Sequence, residues 1–184
     1  MKFNWKNKIS IGIIILISMA FVKKLTTPIY FDIPKSWPKP HYDFTTNPLT
    51  EEGFQLGRNL FYDPILSRDN TISCASCHLQ QTGFTHVDHD LSHGIESKIG
   101  TRNSLTLQNL AWSTTFMWDG GVNHLDVQPI APITSAVEMD ETLENVVAKL
   151  QKQELYKLLF EKAFGTKKIT GQLTLIALSQ YLVM

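Results

Sequence analysis

Cys74-Ala75-Ser76-Cys77-His78 holds both cysteines of the chain, and a histidine follows the second directly. Two thiols at that spacing can form thioethers to the two vinyl groups of one haem. The adjacent imidazole can then bind the iron from the proximal side. The pentad therefore predicts one covalent c-type haem, and with it electron transfer or activation of a small oxidant or gas. Three other chemistries use the same pair. A thiol–disulfide site belongs in a βαβ setting, and none is visible around residue 74. Half of a zinc site would need further ligands, for which His86, His89 and His93 are candidates. A plain structural disulfide is the third.

Working outward, Ser73–Leu79 is expected to form a short helix that lets both sulfurs and the imidazole meet one ring. Upstream, Thr50 is placed as an N-cap with Glu51 and Glu52 in the electropositive first turn, and Leu49 and Phe54 are spaced for a hydrophobic staple. Phe54, Gly57, Leu60 and Phe61 share one face, with Gly57 allowing close approach by a helix or by the haem. Asp63-Pro64 ends that helix. From Thr82 to about Thr142 the chain is rich in glycine, proline and lone polar residues. A loop of this length inside a domain is expected when a large rigid cofactor provides the packing surface.

Helices return after residue 142. Leu143, Val147 and Leu150 define one, and Tyr156, Leu159, Phe160 and Ala163 a second, with Gly165 as its stop. Thr170 caps a third containing Leu173, Ile176, Ala177 and Tyr181. Met184 is expected to fall inside that helix with no C-cap, as in an interrupted product.

The 184 residues carry 17 basic and 17 acidic side chains, so no basic field exists to attract nucleic acid. At 43% apolar and 18% charged, the chain has the composition of a folded domain. Lys2, Lys6 and Lys8 precede the uncharged run Ile9–Val22, and Lys23-Lys24 close it. This predicts a signal peptide or membrane anchor over residues 1–24 and places the domain in the periplasm or cell envelope. Prolines 28, 34, 38 and 40 make residues 25–46 a linker. The haem domain is drawn at 47–165, and 166–184 reads as the start of a truncated helix leading to a missing second haem domain.

Several short blocks in order resemble the N-terminal, peroxidatic domain of the bacterial di-haem cytochrome c peroxidases, a family that includes the MauG-like enzymes. They are Gly57-Arg58-Asn59-Leu60-Phe61-Tyr62-Asp63-Pro64, Leu66-Ser67-Arg68, Ile72 through His78, His93-Gly94, Gly100-Thr101-Arg102-Asn103, Phe116-Met117-Trp118-Asp119-Gly120, Gln128, and Ala136-Val137-Glu138-Met139. The fold expected is mostly α: a cytochrome c-like haem domain with long loops, preceded by an N-terminal hydrophobic helix.

The resemblance implies a role for each position. Cys74 and Cys77 attach haem c, and His78 is the proximal iron ligand. His93 is the candidate distal ligand, on a loop that Gly94 and Gly100 would let move. Glu138 is the distal acid–base and Gln128 orients peroxide. Trp118 lies between the two haems, and Asn103 is associated with calcium. His86, His89 and His124 match no ligand pattern and are expected to be loop histidines, while Met117 and Met139 are expected to be packing residues. The implied reaction reduces hydrogen peroxide to water with electrons from a small donor cytochrome or cupredoxin. A homodimer is a further expectation.

One departure stands out. Family members carry a second haem pentad in a C-terminal domain, whereas two cysteines provide for a single haem here. The expected consequence is a peroxide-binding half without its electron entry, which turns over poorly alone. The rival functions are a mono-haem electron-transfer cytochrome, which needs a permanent sixth ligand, and a MauG-like oxidase of a protein substrate.

Overall fold

The computed structural model describes residues 26–184. The expected signal or anchor lies outside them. Among the described residues no helix is long and apolar enough to cross a membrane.

Helix α1, Glu51–Tyr62, starts where expected: Thr50 Oγ1 accepts the Gly53 amide at 3.1 Å, satisfying one of the orphan donors of the first turn. It buries Leu56, Leu60 and Phe61, each worth roughly 1.5–3 kcal/mol against exposure. Phe54 is only partly buried, so the inward face is centred on Leu56 and Leu60.

That face meets the last helix. A Cβ on Gly57 would stand 2.0 Å from the Ala177 carbonyl oxygen, so only glycine permits this crossing. The close approach therefore belongs to a helix and not to the haem. Asp63 ends α1 and turns the chain: its carboxylate caps the 3-10 turn Pro64–Leu66 through the Ile65 amide at 2.8 Å and accepts Tyr156 Oη at 2.6 Å.

The pentad forms α2, Cys74–Cys77, and α3 is the short helix Ile130–Thr134. Between them the chain runs as loops and 3-10 turns, as the composition predicts. Helix α4, Leu143–Gln151, is capped by Thr142, and α5, Glu154–Phe164, ends at Gly165 in the left-handed region with φ 72°. Helix α6, Gly171–Leu182, is capped by Thr170 and closes at Leu182, so Met184 lies beyond the helix.

Residues 166–184 contribute Ala177, Leu178 and Leu182 to the same apolar core as Leu56, Leu60 and Phe61. Residues 26–46, read as a linker, pack against the domain. Ile29 N donates to Leu49 O at 3.0 Å, Trp112 Nε1 donates to Pro38 O at 2.7 Å, and the Trp37 and Trp112 rings pack edge-on at 4.7 Å. Tyr42 Oη donates to Asp126 at 2.7 Å and accepts from Asn47, which also receives a bond from buried Gln180. Proline keeps this segment extended, and its aromatics make it a cover.

A buried ion pair fixes the route from α1 to the pentad. Lys149 Nζ lies 2.6 Å from Glu141, whose side chain is 5% exposed, and donates to the carbonyls of Ile65, Ser67 and Arg68. Burial alone would raise the Glu141 carboxyl. Bonds from Lys149, the Thr142 amide and Asn145 outweigh it and hold the group below its usual range. Its contribution to stability is therefore full above about pH 4.5 and is lost as pH falls through the lower folded value. Lys149→Met should cost about 3–5 kcal/mol at neutral pH by leaving a buried carboxylate unpaired. Urea unfolding at pH 7 and pH 3 checks this: the two proteins should differ strongly at pH 7 and by less in acid, where the lost bonds to the Ile65, Ser67 and Arg68 carbonyls still count. Equal midpoints at pH 7 would contradict it.

Candidate haem and peroxide site

The seat of the pentad is built by serines and a strained turn. Ser73 N donates to Ser76 Oγ at 3.1 Å, which sets the first turn of α2, and His78 N closes it on Cys74 O at 3.0 Å. His78 Nδ1 faces the Phe84 carbonyl at 2.8 Å, so as a donor it leaves Nε2 as the nitrogen available to iron. Phe84 holds φ 61°, which is costly for a bulky residue. The turn is stabilised by Phe84 N on Leu79 O and by Thr82 Oγ1 on Thr85 O. Sequence reasoning missed Phe84, because a carbonyl that orients a ring leaves no trace in side-chain identity.

A cavity of about 560 Å³ opens beside this seat. The positions to which the resemblance gave a role line it: Cys74, Cys77, His78, His93, Asn103, Trp118, Gln128 and Glu138, whereas His86 and His89 do not. Phe61, Leu107, Phe116 and Leu178 supply apolar wall. Both thiols are free. Burial, helped by the nearby Cys77 and Glu138 charges, pushes the Cys74 thiol up to about 12. Burial and Glu138 raise Cys77 as well. Burial lowers His78 against the opposing pull of the Phe84 and Leu105 carbonyls, which favours the neutral ring a metal requires. The donor set, the His78 ring held through Nδ1 on the Phe84 carbonyl and the cavity size all fit a covalent haem.

Glu138 is half-buried, and burial raises its carboxyl above the ordinary range, with Ser135 offsetting part of the effect. Its backbone is clamped: Ile95 N donates to Glu138 O at 2.7 Å, and Arg68 N donates to Met139 O at 2.9 Å. The Arg68 guanidinium bridges Asp140 at 2.9 Å and Glu96 at 2.5 Å, and Lys98 Nζ reaches Ala136 O at 3.2 Å. Arg68 thus straps together the two loops that flank the acid, a role its place in Leu66-Ser67-Arg68 did not reveal. Gln128 Nε2 contacts Met117 Sδ at 3.4 Å, with Met117 itself at φ 68°. Met139 is a core residue, 3% exposed.

Three expectations change in detail. His93 sits at the rim with its ring exposed and stacked on His89, centroids 4.4 Å apart and planes 2° off parallel. Gly94 has a packing reason to be glycine: its Cβ would fall 2.1 Å from the Val137 carbonyl oxygen, so close approach requires it. Gly100 likewise lies against Ser92 Oγ, 2.5 Å from where its Cβ would be. His86 is not an ordinary loop histidine, being 3% exposed with neither ring nitrogen hydrogen-bonded. His124 is one: exposed, with Nδ1 accepting the Asp126 amide.

Trp118 is 55% exposed at the cavity rim, its Nε1 donating to Asn103 O at 2.8 Å. Asn103 is exposed and its Oδ1 accepts from Thr85. Calcium takes six to eight oxygens, and among the described residues no cluster of three acidic or histidine side chains gathers at Asn103. The residues present do not by themselves fit a calcium site.

A family model described as "Di-haem cytochrome c peroxidase" matches residues 51–184. The methylamine utilization protein MauG of Methylophilus methylotrophus is 38% identical over 82% of this chain and 44% of its own length. The cytochrome c551 peroxidase of Pseudomonas aeruginosa is 35% identical over 71% of this chain and 37% of its own. Among solved structures, a MauG-like protein associated with microbial copper homeostasis is similar with a TM-score of 0.75 at 32% identity, covering 84% of this chain and 46% of that one. The chain spans less than half the length of these relatives. With a family match across most of its length and a cavity walled by the blocks that carry the likeness, the chain belongs to the di-haem cytochrome c peroxidase family.

Proposed function

We propose that this domain binds one haem c through Cys74, Cys77 and His78 and is the site where hydrogen peroxide is reduced to two waters, taking up two electrons and two protons. The observation that carries the reading is the single cavity shared by the haem-attachment residues, Glu138 and Gln128. When bound, the haem supplies the iron that accepts peroxide and stores oxidising equivalents. The chain's own residues do the rest. Phe84 fixes the His78 tautomer. Gln128 offers an amide to orient the oxidant. Glu138 takes a proton from one peroxide oxygen and returns it to the leaving oxygen, a transfer suited to a carboxyl with a raised pKa. His93, at the rim, is placed to control access, and Trp118 to pass electrons.

The electrons are proposed to come from a small cytochrome or cupredoxin by way of a second haem domain, which would cover the face that bears Trp118 and Asn103. Calcium at Asn103 would require oxygen ligands from that partner. The setting is exported, in keeping with covalent haem attachment; where no second haem domain covers this face, self-association through it is the homodimer proposal.

Two observations weigh against a permanent methionine ligand, which leaves His93 as the sixth ligand that a pure electron carrier would need. Met139 is packed in the core, and Met117 sulfur is engaged by Gln128. The MauG-like reading, with a protein substrate, differs in what receives the oxidising equivalents and uses the same cavity. The test is rapid mixing of the reduced, haem-loaded chain with peroxide. A single-turnover change in the haem spectrum, first order in peroxide, supports the proposal. A six-coordinate spectrum that peroxide leaves unchanged would overturn it in favour of the electron carrier.

A further inference from the structure

His86, Asp88 and His89 lie in one bend just outside the haem cavity, and none of the three lines it. One ligand atom from each falls within 4.8 Å of the others. His86 is buried, and both its ring nitrogens lack a hydrogen-bond partner. A buried imidazole left this way is costly unless something binds it. Around it, the His86 and His89 rings are 4.1 Å apart by centroid, and His89 Nε2 is 3.7 Å from Asp88 Oδ1. Neither cysteine joins the cluster.

We propose that His86, Asp88 and His89 form a binding site for a divalent transition ion of the zinc class, separate from the haem. Two imidazoles and a carboxylate are the donors such ions take at 2.0–2.2 Å, and three protein ligands leave one position for solvent. A contraction from 4.8 Å to a shared ion is a side-chain adjustment, since Asp88 and His89 are on the exposed side, at 74% and 36%. The ion would give His86 the partner it lacks. It would also hold the ring on which His93 rests, placing a charge one imidazole away from the cavity rim.

The assignment does not rest on the haem reading. The test titrates zinc(II), in competition with a chromophoric chelator, into the chain with Cys74 and Cys77 consumed by haem or, failing that, by alkylation. One zinc per chain is expected, with nitrogen and oxygen but no sulfur neighbours by X-ray absorption. Loss of a direct ligand should exceed the 10–100-fold that supporting partners are worth, so Asp88→Ala with His89→Ala should weaken binding by about 100-fold or more. Both are surface changes and leave folding intact, whereas His86→Leu tests the buried ligand where it folds. His124→Ala should change nothing. Sulfur in the metal shell, no zinc retained at equimolar metal, or retention unaffected by the Asp88/His89 variant would each overturn the site.

Discussion

Glu138→Gln is expected to slow the reaction of the haem-loaded protein with peroxide by about 10²–10⁴-fold, the usual worth of a positioned acid–base group. The change keeps side-chain size and removes only the ability to take and return a proton. Since the backbone at 138 is held by Ile95 and its flanks by Arg68 and Lys98, the fold and the haem spectrum should be unaffected. The pH dependence gives a second handle. Burial raises the Glu138 carboxyl, so it stays protonated to a higher pH than an exposed glutamate. The proton-accepting form is the carboxylate. The rate should therefore rise with pH around a midpoint above 4.5, and Glu138→Gln should abolish that rise. Stopped-flow absorbance across the pH range checks both. A glutamine variant with the parental rate and profile would remove Glu138 from the chemistry.

Changing Cys74 and Cys77 together to alanine is expected to abolish retention of haem after denaturation. The thioethers are the only covalent link the chain can offer, because it has no other cysteine. The consequence should reach the fold. Residues 82–142 contain few backbone ladders, and although Ile95, Ala111, Leu125 and Ile133 are buried in the protein itself, Leu105, Leu107, Phe116 and Trp118 line the cavity and lose a packing surface without the cofactor. Helices α1, α5 and α6 share a core that does not need the haem, since Leu56, Leu60, Phe160 and Leu178 are buried already. The variant should therefore keep its helical far-UV signal, lose near-UV signal from loop aromatics such as Trp118, and exchange amides faster between 82 and 142. Protection in that segment equal to the haem-loaded protein would contradict the claim that the cofactor orders it.

The helices were legible in the chain because their signals are local. Thr50 and Thr170 cap as polar residues before apolar periods should, and Gly165 stops α5 as a left-handed glycine, while the Thr142 cap of α4 is a finding of the structure. The pentad was legible because thioether chemistry demands its spacing. Other features depend on contacts distant in sequence. Gly57 could be seen to invite close approach, but only Ala177 identifies the neighbour. Gly94 suggests a hinge, but only the peptide after Val137, packed against it, shows that close approach also requires glycine there. Phe84 works through its carbonyl and Arg68 through two loops that meet only in three dimensions, so neither had a signature to read. His86 differs from His124 by burial alone, which no single-residue pattern conveys.

A crystal structure of the haem-loaded chain, reduced before freezing, tests the central claim most directly. The account predicts thioethers at Cys74 and Cys77, iron bound by His78 Nε2 with Nδ1 still on the Phe84 carbonyl, and Glu138 and Gln128 facing the opposite side of the ring. A ring seated outside this cavity, iron held by a residue other than His78, or Met117 or Met139 filling the opposite side would contradict it.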